Sequence, residues 1–233
     1  MNKNNRTTSN SNNKTKKYDI HMHSYYSACS GNSPEDILTY AKLAGLDGIA
    51  ITDHHTMKAY PILKKLNKDK NFEIIPGEEI TTQYGDVLAL YIKTEIKTRD
   101  FFEVVKEIKA QGGIAIIPHP YRPIPWLKFR YPFEKVKGKV DAIETFNSRN
   151  TTLANSKAMT MASKLGFAQT GSSDAHSLLD IGRGHTLFVG DLKSAIRSKK
   201  TQSGGTTNRA LKSIIMASIN KNILSKLGLK KLC

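Results

Sequence analysis

Short apolar runs and longer segments with one apolar face take turns along this chain. Tyr18, Ile20 and Met22 alternate with polar residues, the period of a β-strand, so His21 and His23 fall two apart on one face. Ser33-Pro34-Glu35-Asp36 reads as a helix start: Ser33 suits the N-cap, Pro34 the first helical position, and Asp36 closes a capping box. That helix runs to about Ala44 on an apolar face of Ile37, Leu38, Ala41 and Leu43/Ala44, and Gly45 stops it. Gly48 to Thr52 is a short apolar run, the pattern of a buried parallel strand.

The alternation continues. The pattern predicts a helix from Met57 to about Asn67 in spite of Pro61, then strands over Phe72–Ile75 and Val87–Ile92. A helix over Phe101–Ala110 is stopped by Gly112-Gly113, and a strand follows over Ile114–Ile117. Residues 121–139 are rich in aromatics and proline and predict a long loop, with a short helix near Phe133 to Val136. Strands over Ala142–Phe146, Phe167–Thr170 and Thr186–Val189 flank a helix over Thr152–Leu165, and a short helix follows from Leu192 to about Ser198. Strand and helix in this rhythm predict an α/β fold, a parallel sheet covered by helices. Roughly seven units over about 180 residues predict a closed or nearly closed barrel, with an open doubly wound sheet as the alternative.

Charge divides the chain differently. The net charge is +16, yet residues 1–17 carry five Lys/Arg and residues 193–233 carry ten, with no acid in either. The middle is left with 21 basic residues against all 20 acidic ones. Residues 1–17, almost all Asn, Ser, Thr and Lys, predict a disordered tail. The barrel domain is expected over 18–200. Residues 201–233 are expected to form a flexible link around Ser203-Gly204-Gly205-Thr206 and then a basic amphipathic helix, with Leu211, Ile215, Ile219, Ile223 and Leu227 at spacing four. The basic tails are able to hold nucleic acid by counterion release or to act as solubilising extensions. No run approaches the roughly 20 apolar residues of a membrane span. Two cysteines, Cys29 and Cys233, do not make a disulfide framework, and a reducing cytoplasm is the simplest compartment.

What gives His21 and His23 chemical weight is the placement of the other candidates. Asp53/His54, Glu78, His119, Glu144/Asn147 and Asp174/His176 each fall at or just beyond the end of an expected strand. In α/β barrels that rim is where sites are built. Imidazoles and carboxylates without paired thiolates suit Mn, Fe or Zn. With two or three divalent ions, a carboxylate can bridge a pair and a hydroxide can lie between them, ready for in-line attack at phosphorus. That points to phosphoester hydrolysis, with amide or ring hydrolysis as a neighbour.

Taken in order, Asp19-Ile20-His21-Met22-His23-Ser24, Gly48 to His54, Gly77-Glu78-Glu79-Ile80, His119-Pro120, Ile143-Glu144 with Asn147, and Ser173-Asp174-Ala175-His176 resemble the motifs of the PHP family, named for polymerase and histidinol phosphatase. The resemblance spans about residues 18–198. It implies a distorted (β/α)7 TIM-like barrel with a trinuclear metal centre at the C-terminal rim. By position, His21, His23, Glu78 and Asp174 would bind one ion. Glu78 would bridge to a second, which His119 also binds, and His54 and His176 would bind the third. The chain departs from the family's pattern twice: Cys29 stands where an Asp or His completes the third site, and Asp86 where a His often binds the second ion.

Arg122, Arg149 and Arg183 are the candidate phosphate-binding cations, and His185 the candidate general acid. Asp53 is expected to orient a ligand rather than bind metal. Tyr121, Trp126, Phe129, Tyr131 and Phe133 are expected to wall the pocket or pack over the barrel mouth. The function implied is a metal-dependent phosphoesterase acting on a small phosphorylated substrate, a phosphomonoester first and a nucleotide or RNA end second. The alternative is a non-catalytic metal-binding scaffold whose basic tails bind nucleic acid.

Overall fold

The computed structural model describes residues 14–207. In chain order these form β1 (Thr15–Asp19), α1 (Pro34–Leu43), β2 (Gly48–Ile51), α2 (Ala59–Leu66), β3 (Glu73–Thr82), β4 (Gly85–Leu90), α3 (Phe101–Ala110) and β5 (Ile114–Ile117). There follow α4 (Phe133–Val136), β6 (Ala142–Asn147), α5 (Thr152–Leu165), β7 (Ala168–Ser172), β8 (Gly184–Val189), α6 (Leu192–Arg197) and β9 (Gln202–Gly205). The expected caps are present. Ser33 Oγ accepts from the Asp36 amide at the start of α1, and Gly166, at φ 70°, ends α5 in the left-handed conformation.

The nine strands form one sheet in the order β7-β6-β5-β4-β3-β2-β1-β8-β9. The sequence rhythm predicts an all-parallel sheet, and the structure corrects this to a mixed one. β1, β2 and β3 are parallel, as are β5, β6 and β7, but β4 runs antiparallel to both its neighbours. The reason is the connection: β3 continues through Pro76 to Thr82, and Gln83-Tyr84 turn it directly into β4, which leaves no room for a crossover helix. β8 is antiparallel to β1, and β9 to β8. Ser203-Gly204-Gly205, expected as a flexible link, is therefore part of the ninth strand. Residues 15–17, expected in the disordered tail, begin β1, while the amphipathic helix expected over 208–227 lies outside the described residues.

The sheet curls until its two ends meet. One buried cluster draws Tyr18, Ala50, Ile75, Leu88, Leu90, Ile116, Ala142, Ala168 and Phe188 from β1 through β8 and fills the enclosed space, with Leu192, Ala195 and Ile196 of α6 at its base. Two further clusters lie under the helices: Ile37, Leu38 and Ala41 of α1 pack with Ile49 and Ile51, and Val104, Val105 and Ile108 of α3 pack with Ile80, Val87 and Ala89. The aromatics after His119 divide between these roles. Phe129 is buried in the α3 cluster, Tyr131 and Phe133 pack against it, and Trp126 is exposed.

At the seam, hydroxyls do the work of a backbone ladder. Thr186 Oγ1 accepts from the Gly171 amide (2.9 Å) and donates to its carbonyl (2.8 Å), Thr201 Oγ1 donates to the Gln169 carbonyl (2.6 Å), and Thr145 Oγ1 donates to Ser203 Oγ (2.7 Å). The barrel is nearly closed, and its closure leaves no space at two glycines. A Cβ on Gly184 would lie 2.0 Å from the Ser172 carbonyl oxygen, and one on Gly171 2.5 Å from that of His185. Gly184→Ala is expected to destabilise the protein by more than about 2 kcal/mol through this backbone clash, and Thr186→Val by about 1–3 kcal/mol by stranding the Gly171 amide. Chemical denaturation of both variants measures the two costs, and wild-type midpoints would contradict this account of the seam.

Candidate metal centre

The rim begins where β1 ends. Tyr18 and Ile20 join the interior cluster, whereas Met22 joins the one under α1 and α2. The two-residue alternation therefore breaks once after Ile20. A parallel bridge from Met22 to Ala175, with the His23 amide donating to the Ala175 carbonyl (3.0 Å), holds the segment beside the end of β7. His21 and His23 are both fully buried.

Opposite them stands Glu79. Its Oε2 lies 3.2 Å from His21 Nε2, 3.3 Å from His23 Nε2 and 3.5 Å from His54 Nδ1, and its Oε1 lies 3.1 Å from His119 Nε2. Asp174 Oδ1 lies 3.6 Å from His21 Nε2 and 3.4 Å from both His23 Nε2 and His176 Nδ1. Asp86 Oδ2 is 3.9 Å from His119 Nε2. Cys29 shares a corner with His23 and His54, their ligand atoms all within 4.8 Å of one another. Among the described residues, His21, His23, Cys29, His54, Asp86, His119, Asp174 and His176 thus converge.

Glu78 does not join them, and its neighbour takes its place. On β3, Glu79 shares its face with the interior residue Ile75 and pairs with Leu88, whereas Glu78 pairs with Ala89 on the helix-covered face. Glu78 Oε1 accepts from the Ile96 amide (2.6 Å), and burial raises this carboxyl to about 7. The signal was available: Ile75 and Glu79 have the same parity on an unbroken strand. The pattern that ends the strand before Pro76 hides it, because the observed strand runs on to Thr82.

Two other candidates also lie apart. Arg183 is exposed and its Nε donates to the Leu179 carbonyl (2.9 Å). His185 alternates with the inward Thr186, and its ring lies over Gly204, where a Cβ would meet Nε2 at 3.3 Å. Arg122 and Arg149, by contrast, reach the cluster. Arg122 Nη2 donates to Asp174 Oδ2 and to Asn147 Oδ1 (3.2 Å), and its Nε to Asn150 Oδ1 (3.3 Å). Arg149 Nη1 lies 3.5 Å from Asp174 Oδ1 and donates to His176 Nε2 (2.9 Å), while His176 Nδ1 donates to the Asp174 carbonyl (2.9 Å).

The surrounding hydrogen bonds fix which imidazole nitrogen faces inward. His21 Nδ1 donates to Glu144 Oε1 (3.1 Å). His23 Nδ1 lies 3.3 Å from Ser27 Oγ, whose own proton goes to Asp53 Oδ1 (2.6 Å), so the imidazole is the donor. Each ring is left with a lone pair on Nε2, and both Nε2 atoms are buried with no hydrogen-bond partner although carboxylate oxygens are near. A lone pair facing a carboxylate attracts nothing unless a cation lies between them. The donor set and its orphaned nitrogens fit divalent metal ions, with Glu144 and Asp53 setting ring orientation from behind.

The electrostatics show the same demand for positive charge, met by protons on the rings where no ion is bound. Burial opposes charge on His21, but Asp174, Glu79 and Glu144 outweigh it and hold the imidazole well above its usual range. His23 is likewise disfavoured by burial yet pushed up to about 9 by the Asp174 and Glu79 carboxylates that face it. Burial would raise Glu79 and Asp174, but the groups facing them hold both well below the carboxylate range, chiefly the His21 imidazole for the first and Arg122 with His21 for the second. At the edges burial wins: His54 falls to about 3, and Asp86, with Glu79 adding to the effect, rises to about 6.

Glu79→Gln is expected to strip metal from the protein, and Glu144→Gln to weaken metal binding roughly 10–100-fold by releasing the His21 ring. Glu78→Gln is expected to leave metal content unchanged. Elemental analysis of the three dialysed variants decides the assignment, and loss of metal from Glu78→Gln with retention in Glu79→Gln would reverse it.

Comparison with known proteins agrees with this geometry. The PHP domain description matches residues 19–174, and a PHP-associated description matches residues 152–201. Two uncharacterised proteins of Methanocaldococcus jannaschii are similar. MJ0417 is 34% identical over 178 residues, which cover 74% of this chain and 70% of that protein. MJ1587 is 39% identical over 119 residues, 46% of this chain and 70% of that protein. Among solved structures, a two-domain Bacteroides vulgatus protein containing a predicted PHP-like metal-dependent phosphoesterase superposes with a TM-score of 0.73 at 19% identity, covering 88% of this chain and 70% of that one, which bears on the fold alone. With the matched domain covering most of the barrel and carrying the converging rim residues, the chain belongs to the PHP domain family.

Proposed function

We propose that this protein is a metal-dependent phosphoesterase. The observation that carries the reading is Arg149 Nε, a buried donor with no hydrogen-bond partner beside an imidazole–carboxylate cluster. Leaving such a donor unsatisfied costs about 1–3 kcal/mol. An anionic oxygen removes that cost, and a phosphoryl group offers several. Arg122 adds a second guanidinium, held in place by Asp174, Asn147 and Asn150.

The residues that would hold metal are His21, His23, Glu79 and Asp174 at the centre, Asp86 and His119 on one side, and Cys29, His54 and His176 on the other. When bound, divalent ions supply neutralising charge to phosphoryl oxygens and lower the pKa of water. The chain's own part is orientation. Glu144 and Ser27 lock the His21 and His23 rings, and the two arginines bind and align the ester's oxygens.

A cleft of about 270 Å³ leads from Arg122, lined by Tyr121, Pro123, Pro125, Lys128 and Lys157 among others, with no acidic residue in its wall. Cations beside an aromatic ring suit a substrate that extends beyond one phosphate, which favours a nucleotide or RNA-end phosphate over a minimal phosphomonoester.

Chelation is expected to abolish hydrolysis of an aryl phosphate and of a nucleoside bisphosphate, and added Mn²⁺ to restore it. Arg149→Ala should lower kcat/KM about 10²-fold or more, whereas Arg183→Ala should leave it unchanged. Lys128→Ala with Lys157→Ala should raise KM for the bisphosphate and not for the aryl ester. Absence of turnover on every phosphoester in the manganese-loaded protein would end the enzyme reading.

A further inference from the structure

The two residues that depart from the family's pattern sit at different corners of the centre. Cys29 shares its corner with His23 and His54, and Asp86 shares its corner with Glu79 and His119. Glu79 reaches toward both: Oε2 faces His23 and His54, and Oε1 faces His119. The first corner offers sulfur and two imidazoles. The second offers two carboxylates and one imidazole. Thiolate selects soft ions, and carboxylate-rich sets suit harder ones. His23 Nε2, buried and unpartnered, lies 3.3 Å from Glu79 Oε2, the oxygen that also faces His54, and the Cys29 sulfur lies within 4.8 Å of a nitrogen of each ring, so the cysteine is part of a set of donors and not an isolated thiol.

We propose that the metal centre is chemically asymmetric: Cys29 makes the His23–His54 corner a zinc-selective position, Asp86 makes the His119 corner a manganese-type position, and Glu79 spans the two. The inference rests on reading the rim as a metal centre but not on the reaction it performs. Raw affinity favours Zn²⁺ over Mn²⁺ at nearly any such donor set, so the asymmetry shows only when zinc is limiting. Ligation by Cys29 requires loss of the thiol proton, so loading this corner releases it to solvent.

The test uses the full chain, stripped by chelation and reloaded with metal alone. With one equivalent of Zn²⁺ and excess Mn²⁺, the protein is expected to retain about one zinc alongside manganese. Cys29→Asp, which keeps a ligand but removes sulfur, should lower the zinc-over-manganese preference roughly 10–100-fold. Offered two equivalents of Zn²⁺ with the same excess of Mn²⁺, Asp86→His should retain more zinc than the wild type. Cobalt substitution gives an independent readout. The first equivalent of Co²⁺ should produce a sulfur-to-cobalt charge-transfer band in the near ultraviolet, absent in Cys29→Ser. That variant also excludes a contribution from Cys233. Circular dichroism of each variant confirms that it is folded. No charge-transfer band at any cobalt loading, or equal zinc-to-manganese ratios in wild type and Cys29→Asp, overturns the proposal. Because metal content and absorption are read without turnover, an inactive protein that shows the band sinks the phosphoesterase reading and leaves this one standing.

Discussion

The carboxylate of Glu79 lies out of reach of solvent with imidazole nitrogens at 3.1–3.5 Å from its two oxygens. A buried charge of that kind is sustained only by opposite charge held close. Its neighbours supply it poorly on their own, because His21 and His23 have already committed their Nδ1 protons to Glu144 and Ser27. Without an ion, protons taken up on those rings balance the carboxylates, which is why His21 and His23 sit high and Glu79 and Asp174 low. A divalent ion does the same with one positively charged centre and releases those protons. The need for a cation is therefore built into the fold by the residues behind the ligands as much as by the ligands.

Three further carboxylates hold this arrangement in place. Asp53 accepts from the Ser24 amide, Ser24 Oγ and Ser27 Oγ, which fixes the loop that carries Cys29. Glu144 accepts from His21 Nδ1, the His119 amide, Asn147 and Ser172, so one side chain joins β6 to three other parts of the rim. Asp19 accepts from the Ser173 and Gly182 amides. These flank Asp174 and His176, so the same strand that delivers the histidine pair also anchors the last ligand loop. Barrel closure and site assembly are coupled through this one residue of β1.

Much of this was legible in the sequence. Caps, glycine stops and apolar runs placed most elements, and the rim position of His21, His23, His54, His119, Asp174 and His176 followed from strand ends. What was not legible depended on contacts between distant segments. Pro76 reads as a strand breaker, yet β3 passes through it because β2 and β4 supply partners on both sides. That single extension moves the inward position from Glu78 to Glu79. Ser203-Gly204-Gly205 looks like a linker, since nothing local reveals that small residues are needed where β9 closes on β7 and β8. Arg183 stands near a ligand motif in sequence, while Arg122 lies far from Asp174 in sequence and binds it in space. Proximity along the chain was a poor guide to which guanidinium faces the site.

Two of the ligand positions are held in a backbone conformation that residues other than glycine seldom adopt: His119 at φ 31° and Asp174 at φ 55°. Each such residue costs on the order of 1–3 kcal/mol and persists where its surroundings over-determine it. Here they do. The His119 amide donates to Glu144 Oε2 (2.7 Å), and the Asp174 amide donates to the His21 carbonyl (2.8 Å). In both cases the group that restrains the turn belongs to another element of the centre. From these turns His119 Nε2 comes to 3.1 Å from Glu79 Oε1, and Asp174 Oδ1 to 3.4–3.6 Å from the histidine pair. The strain is thus tied to the geometry that a metal ion needs, and the hydrogen bonds that restrain it end on Glu144, which also orients the His21 ring, and on the His21 carbonyl. Loosening either turn would relax the backbone and scatter the ligands together.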